Sequence, residues 1–231
     1  MTTLTVGDLA FEVRQSSRRR TMQITVDRGG ELILTAPEDC APSQLEKFVR
    51  DKRFWIYTKL AEKEALHRPV VQKQFKTGEG FAYLGRTHRL LLVDGQEAPV
   101  KLSEGRFKMQ RAVAPEGSKH LTAWYAAHAL PWLTARVRRW AKRLGLTPAR
   151  VTVMELGFRW ASCSEGGRLQ FHWKTILLPP HAIDYVIVHE LAHLDERHHT
   201  PAFWRRVERA MPDFEARKAQ LAQLGAGLGG Y

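Results

Sequence analysis

The chain has 231 residues, 44% of them hydrophobic and 26% charged, which is the make-up of an ordinary globular protein of one larger domain or two small ones. Its net charge of +12 and pI near 10 favour polyanionic partners: nucleic acid, nucleotides or acidic protein segments. No apolar run reaches the roughly 18 residues of a membrane span, Met1 to Asp8 lacks the pattern of a signal peptide, and Cys40 and Cys163 stand too far apart to imply a disulfide framework, so a cytoplasmic protein with no membrane contact is expected.

The first third is predicted to be β-rich. Apolar residues alternate from Leu4 to Val13 and again over Met22 to Asp27. Arg28-Gly29-Gly30 reads as a turn and Glu31 to Pro37 as a returning strand, together an antiparallel meander. From Pro42-Ser43 to about Ala65, Leu45, Phe48, Val49, Phe54, Trp55 and Leu60 recur at helical spacing with no internal breaker, which predicts one long amphipathic helix. A second β region follows. Gly78 to His88 reads as strand–turn–strand, Leu90 to Val93 continues it, Asp94-Gly95 is a hairpin-type turn, and Pro99 to Leu102 and Arg106 to Val113 add strands.

Pro115-Glu116-Gly117-Ser118 marks the predicted boundary between residues 1–115 and 116–231. Beyond it Lys119 to Leu144 is a long helix, kinked at Pro131 and closed by Gly145. Val151 to Met154, Phe158 to Ala161 and Leu169 to Trp173 form a small sheet. The apolar run Ile183 to Val188, preceded by Pro179-Pro180, opens a buried helix. Thr200-Pro201 caps and starts another, to about Met211, and the glycine-rich end from Gly225 to Tyr231 is expected to fray. The whole is an α+β chain.

The buried helix carries His189-Glu190-Leu191-Ala192-His193. Helix positions i and i+4 share a face, so both imidazoles reach one cation, and Glu190 stands beside them as a general base. His198 and His199 follow at the helix–helix turn, where a third ligand swings back over the first two; spacing alone does not choose between them. Three protein nitrogens leave a fourth position for water or substrate, the mark of a catalytic zinc site, where the ion lowers the pKa of its water toward neutrality and Glu190 takes the proton. Asp184 and Asp195 flank the motif as carboxylates that orient ligand histidines or lie solvated. The basic bursts Arg18-Arg19-Arg20, Arg136 to Arg143 and Arg205-Arg206 are read either as solvated charge or as a polyanion surface. His67, His88, His120, His128 and His181 are read as ordinary histidines, and the tryptophans as core.

The segment from His189 to His193, then His199-Thr200-Pro201-Ala202-Phe203-Trp204, resembles the H-E-L-x-H-x(5)-H-[ST]-x-x-F-W signature of the YgjP-like metallopeptidases, relatives of the SprT-like and WLM zinc peptidases. Arg159-Trp160-Ala161-Ser162-Cys163 resembles the family's R-W-G-S-C block, with Ala161 for the usual glycine; Arg18 to Met22 is similar too, and His172 stands where relatives often carry asparagine. The resemblance implies a zincin-like second domain. It makes His189, His193 and His199 the Zn²⁺ ligands, with His198 a bystander and Phe203 and Trp204 packed beneath. It also implies peptide or protein substrates. Arg159, and more weakly Ser162, would stabilise charge on the reacting oxygen, or Arg159 would pair with Glu155 or Asp195; Cys163 is read as a structural thiol. Two other functions stay open: a metal-dependent nucleotide pyrophosphatase acting on UTP, an activity also described for YgjP-like proteins, and a non-catalytic basic module bound to nucleic acid.

Overall fold

The computed structural model describes residues 2–27, 31–66, 72–157, 159–225 and 228. The predicted turn at Arg28-Gly29-Gly30, His67, Phe158 and most of the glycine-rich end lie outside the described residues. The chain forms two compact units, Met1–Pro69 and Val70–Tyr231.

In the first unit, β1 (Thr2–Val6) and β2 (Leu9–Ser16) form a hairpin across Gly7, whose φ of 66° suits a residue without a Cβ. β3 (Gln23–Val26) pairs antiparallel with β4 (Leu32–Pro37). β4 then lies parallel to β2, giving the order β1-β2-β4-β3 rather than the expected meander. The physical reason lies in burial: β4 is buried along most of its length, as an inner strand must be, whereas β3 has the half-buried pattern of an edge. The predicted single helix is two, α1 (Pro42–Asp51) and α2 (Arg53–Leu66), broken at Lys52 without a glycine or proline. Leu45, Val49 and Ile56 face the core, while Phe54 and Trp55, expected there, are exposed.

The second unit begins with a sheet of the same topology. β5 (Gly80–Tyr83) and β6 (Arg86–Val93) form one hairpin, β7 (Val100–Ser103) and β8 (Arg106–Gln110) another, and β6 runs parallel to β8 in the order β5-β6-β8-β7. Asp94-Gly95 therefore joins strands that are not neighbours; the tight turns are Leu84-Gly85 and Glu104-Gly105, all four at positive φ. This sheet belongs with the C-terminal half, not with the first strands as the predicted boundary near 115 had it. Tyr125 donates to the carbonyl of Ala82 at 2.7 Å, and Leu84 and Gly85 donate to the carbonyls of Ile176 and Leu177 at 2.8 and 3.1 Å. Gly85 approaches Pro179 so closely that a Cβ would lie 2.7 Å from the proline Cα. The hairpin thus braces the segment that launches the next helix.

α3 (Gly117–Leu144) runs as one helix with Pro131 inside it and ends at Gly145 in the left-handed region. β9 (Arg150–Met154), β10 (Ala161–Cys163) and β11 (Arg168–His172) form a three-stranded sheet in the order β10-β11-β9, leaving β10 at an edge. A 3₁₀ turn, Trp173–Leu177, leads to α4 (Pro180–Ala192), then α5 (Pro201–Ala210) and α6 (Phe214–Gly225). α4 starts at Pro180 as predicted, and α5 is capped by Thr200, whose hydroxyl accepts from the amide of Phe203. α6 was not foreseen.

α4 packs against α3, α5, α6 and β10, which is why nearly all its residues are apolar. Two carboxylates are buried in it, Glu190 near its end and Asp184 in its first turns, each only 7% exposed. Arg136 of α3 grips Asp184 through two bonds of 2.6 and 2.7 Å, and Trp140 Nε1 donates a third of 2.9 Å. A buried carboxylate held by a bidentate guanidinium is costly to break, because the partner charge stays behind. Asp184→Asn is expected to lower stability by about 2–4 kcal/mol in urea denaturation; a loss below about 0.5 kcal/mol would show that the clamp does not anchor α4.

Candidate metal centre

α4 delivers His189 in its last turn and His193 as the residue that caps it, still in helical conformation. The α4–α5 connection then returns His199 over both. One ligand nitrogen from each of the three rings lies within 4.8 Å of the others. His189 Nε2 and His199 Nε2 face each other at 2.9 Å. Two ligands about 2.0–2.1 Å from a tetrahedral zinc stand roughly 3.3 Å apart, so the cluster is of the right size. His193 Nδ1 lies 3.0 Å from the carbonyl of Glu196, a bond that fixes the ring and leaves Nε2 for a cation.

The packing explains the convergence. Phe203 lies against all three imidazoles, with ring centroids 5.0, 4.6 and 4.8 Å from His189, His193 and His199. Trp204 stacks on His199 at 5.6 Å and on Phe214 of α6 at 5.7 Å. The phenyl-indole pair is the floor of the site, as the resemblance implied. Burial, then the neighbouring charges of His193, His199 and Lys218, push the His189 imidazolium down to about 3. Burial likewise lowers His199. Both rings are thus held neutral near pH 7, the form that binds a divalent metal, and an all-imidazole donor set suits zinc and its first-row neighbours. His189 Nδ1 is buried without a hydrogen-bond partner among the described residues.

Glu190 opens into the same cleft, a cavity of about 520 Å³ lined also by Arg159, Ser162, Cys163, Arg197 and His198. It is 7% exposed, and burial pushes its carboxyl up to about 7 against the opposing pull of Arg159 and the Cys163 amide. The Cys163 thiol is pushed up by burial and by Glu190, and it stands outside the three-histidine group.

The remaining predicted residues are placed as follows. Arg159 is exposed on the cleft rim, beside Glu190. Its two suggested ion-pair partners are engaged elsewhere: Glu155 with His172 and Trp173 at 2.6 and 2.9 Å, Asp195 with Arg206 at 2.5 Å. Asp184 and Asp195 bind arginines rather than ligand histidines, which corrects one of the two roles considered for them. His172 is fully buried; its Nδ1 accepts from the Lys174 amide and its Nε2 donates to Glu155, so it is a structural cap. His198 lines the cleft but stands outside the three-nitrogen cluster. Lys218 of α6 was missed. Its ammonium lies 4.6 Å from the Trp204 ring and acts on His189 and His199.

A family described as "YgjP-like, metallopeptidase domain" matches residues 20–224. The chain belongs to the YgjP-like metallopeptidase family. Membership makes it, in general terms, a metal-dependent peptidase, and among the described residues His189, His193 and His199 form a group that could hold a metal ion. No curated protein matches the chain. A solved structure that does is that of the metallopeptidase zymogen abylysin from Pyrococcus abyssi, 23% identical, covering 38% of this chain and 90% of that one at a TM-score of 0.36. So distant a likeness adds nothing to the family match. Among the described residues no helix is long and apolar enough to cross a membrane.

His199→Ala is expected to abolish stoichiometric zinc in protein purified with added metal, and His198→Ala to retain it, by elemental analysis. The reverse pattern would reassign the third ligand.

Proposed function

We propose that this protein is a zinc-dependent, zincin-like metallopeptidase in which His189, His193 and His199 hold the ion and Glu190 is the general base. The observation that carries the reading is the shared cleft: three convergent imidazoles with a buried carboxylate one residue along the same helix. When bound, zinc supplies a Lewis acid that polarises the scissile carbonyl and acidifies water. Glu190 takes that proton on its carboxylate and returns it to the leaving amine. Its elevated affinity for protons suits a group that must hold one between two steps, and the Cys163 amide keeps the carboxylate aimed. Arg159 on the rim offsets negative charge growing on the carbonyl oxygen.

The edge strand supports a peptide over a small substrate. On either side of β10, the Trp160 carbonyl accepts from the His172 amide at 2.8 Å and the Ser164 amide donates to the Arg168 carbonyl at 2.9 Å, so the even-numbered residues face β11. Ala161 and Cys163 then turn their backbone groups outward, into the cleft. An extended peptide laid along that edge gains main-chain hydrogen bonds, with its scissile bond beside Glu190.

The test is zinc-loaded protein assayed against an unbiased peptide library and a nucleotide panel in parallel. Peptide cleavage is expected, falling at least ~10²-fold in Glu190→Gln while zinc content is unchanged. Equal cleavage by the variant would remove Glu190 as the base, and nucleotide hydrolysis without peptide cleavage would replace the reading by the pyrophosphatase one.

A further inference from the structure

About 100° round α4 from His189 and His193, Val188 and Ala192 floor a second cavity of about 490 Å³ between α3, α4 and α5. Its rim carries four guanidinium groups: Arg143 from the last turn of α3, and Arg205, Arg206 and Arg209 from α5. The last three share a helix face, as positions i, i+1 and i+4 permit. Every cation lining the cavity is arginine, the side chain that forks onto phosphate oxygens. Glu196 is the one carboxylate in the lining. Asp195, nearby, is neutralised by Arg206, and Glu208 is exposed on α5. Arg205 and Arg209 are exposed and make no ion pair among the described residues; Arg143 rests on the Trp140 ring at 5.0 Å.

With Arg206 already paired to Asp195, three guanidinium groups share the hollow with the single carboxylate of Glu196, an excess of positive charge that an anion would offset. Along α3 the charge continues: Arg138, Arg139 and Lys142 are exposed, the last two within one turn of Arg143. The cationic surface is therefore a track longer than one phosphate group, and the overall charge of +12 has the same sign. A free nucleotide would fill the hollow and leave the track unused. An acidic peptide also offers bidentate carboxylates, but only where Asp or Glu recurs, whereas nucleic acid brings one phosphate with every unit. We propose that this arginine groove binds the sugar-phosphate backbone of nucleic acid, without base readout, on a face of α4 adjoining the one that carries the candidate metal centre. The proposal does not depend on which bond the cleft hydrolyses.

The experiment is fluorescence anisotropy of the full chain with a labelled 20-nucleotide single-stranded DNA, its duplex and the matching RNA, over a salt series. Binding to at least one of them is expected, with log K falling linearly in log salt. Arg143→Ala/Arg205→Ala/Arg209→Ala is expected to weaken it at least about tenfold and to flatten the salt slope by about 2–3, because up to three phosphate contacts are lost. Arg18→Ala/Arg19→Ala/Arg20→Ala, in the first unit, is expected to bind as wild type does. Should the triple groove variant melt early, Arg205→Glu alone, at an exposed unpaired position, reads the same loss. Unchanged affinity and slope in the groove variants would overturn the proposal. So would loss confined to the Arg18–Arg20 variant. Displacement of the oligonucleotide by tripolyphosphate or polyglutamate at equal charge would assign the groove to small anions or acidic peptides instead.

Discussion

One constraint governs the second unit: α4 must be buried on every side and still present two histidines and a carboxylate at its exit. A helix with apolar residues all round fixes its depth in the core but not its rotation or its position along its own axis, since one methyl-lined surface packs much like another. The Asp184 carboxylate supplies what the apolar contacts lack. Held by Arg136 and Trp140 from α3, it sets the rotation of α4. The Leu84-Gly85 turn, bonded to residues 176 and 177 and pressed on Pro179, sets where the helix begins. His189, Glu190 and His193 inherit their directions from these two anchors.

The chemistry of the site follows from the same burial. Desolvation works in opposite senses on the two kinds of group: it keeps His189 and His199 neutral and ready to ligate, and it raises the proton affinity of Glu190. One low-polarity environment thus acts in the sense that both proposed roles, ligand and base, require. The cost is a carboxylate set against apolar walls, tolerable because the Cys163 amide and Arg159 face it. The partly open edge of β10 beside this group gives the cleft its direction.

Much of the site was legible in the sequence because it is local. The H-E-x-x-H spacing, the Thr200-Pro201 helix start and the Phe203-Trp204 floor all act within a few turns of chain, and each has a residue-type requirement that survives on its own. What was not legible depends on distant pairing. Nothing in the alternation of β3 or β8 states which strand it will flank, so the sequence suggests an antiparallel meander where β2 lies parallel to β4, and a hairpin turn at Asp94-Gly95 where β6 lies parallel to β8. The boundary near 115 failed for the same reason: Pro115 to Ser118 looks like a linker, but the preceding hairpin is bonded to residues 176 and 177. The break at Lys52 lacks any helix-breaking residue. Asp184 looked like a ligand-orienting carboxylate by proximity in sequence, whereas its partners stand 44 and 48 residues upstream. α6, and with it Lys218, was missed although Phe214, Arg217, Lys218 and Leu221 have helical spacing.

Two adjoining faces of α4 are chemically distinct, a histidine cleft on one and an arginine-rimmed hollow on the other, and Glu196 touches both: its carbonyl lies 3.0 Å from His193 Nδ1 while the residue also lines the hollow. All of this rests on three imidazoles binding one cation with room to spare. X-ray absorption at the zinc edge of the loaded protein tests that most directly. The account predicts three imidazole nitrogens and one further light scatterer at about 2.0–2.1 Å. A sulfur scatterer at about 2.3 Å, or a shell filled by four protein ligands, would contradict it.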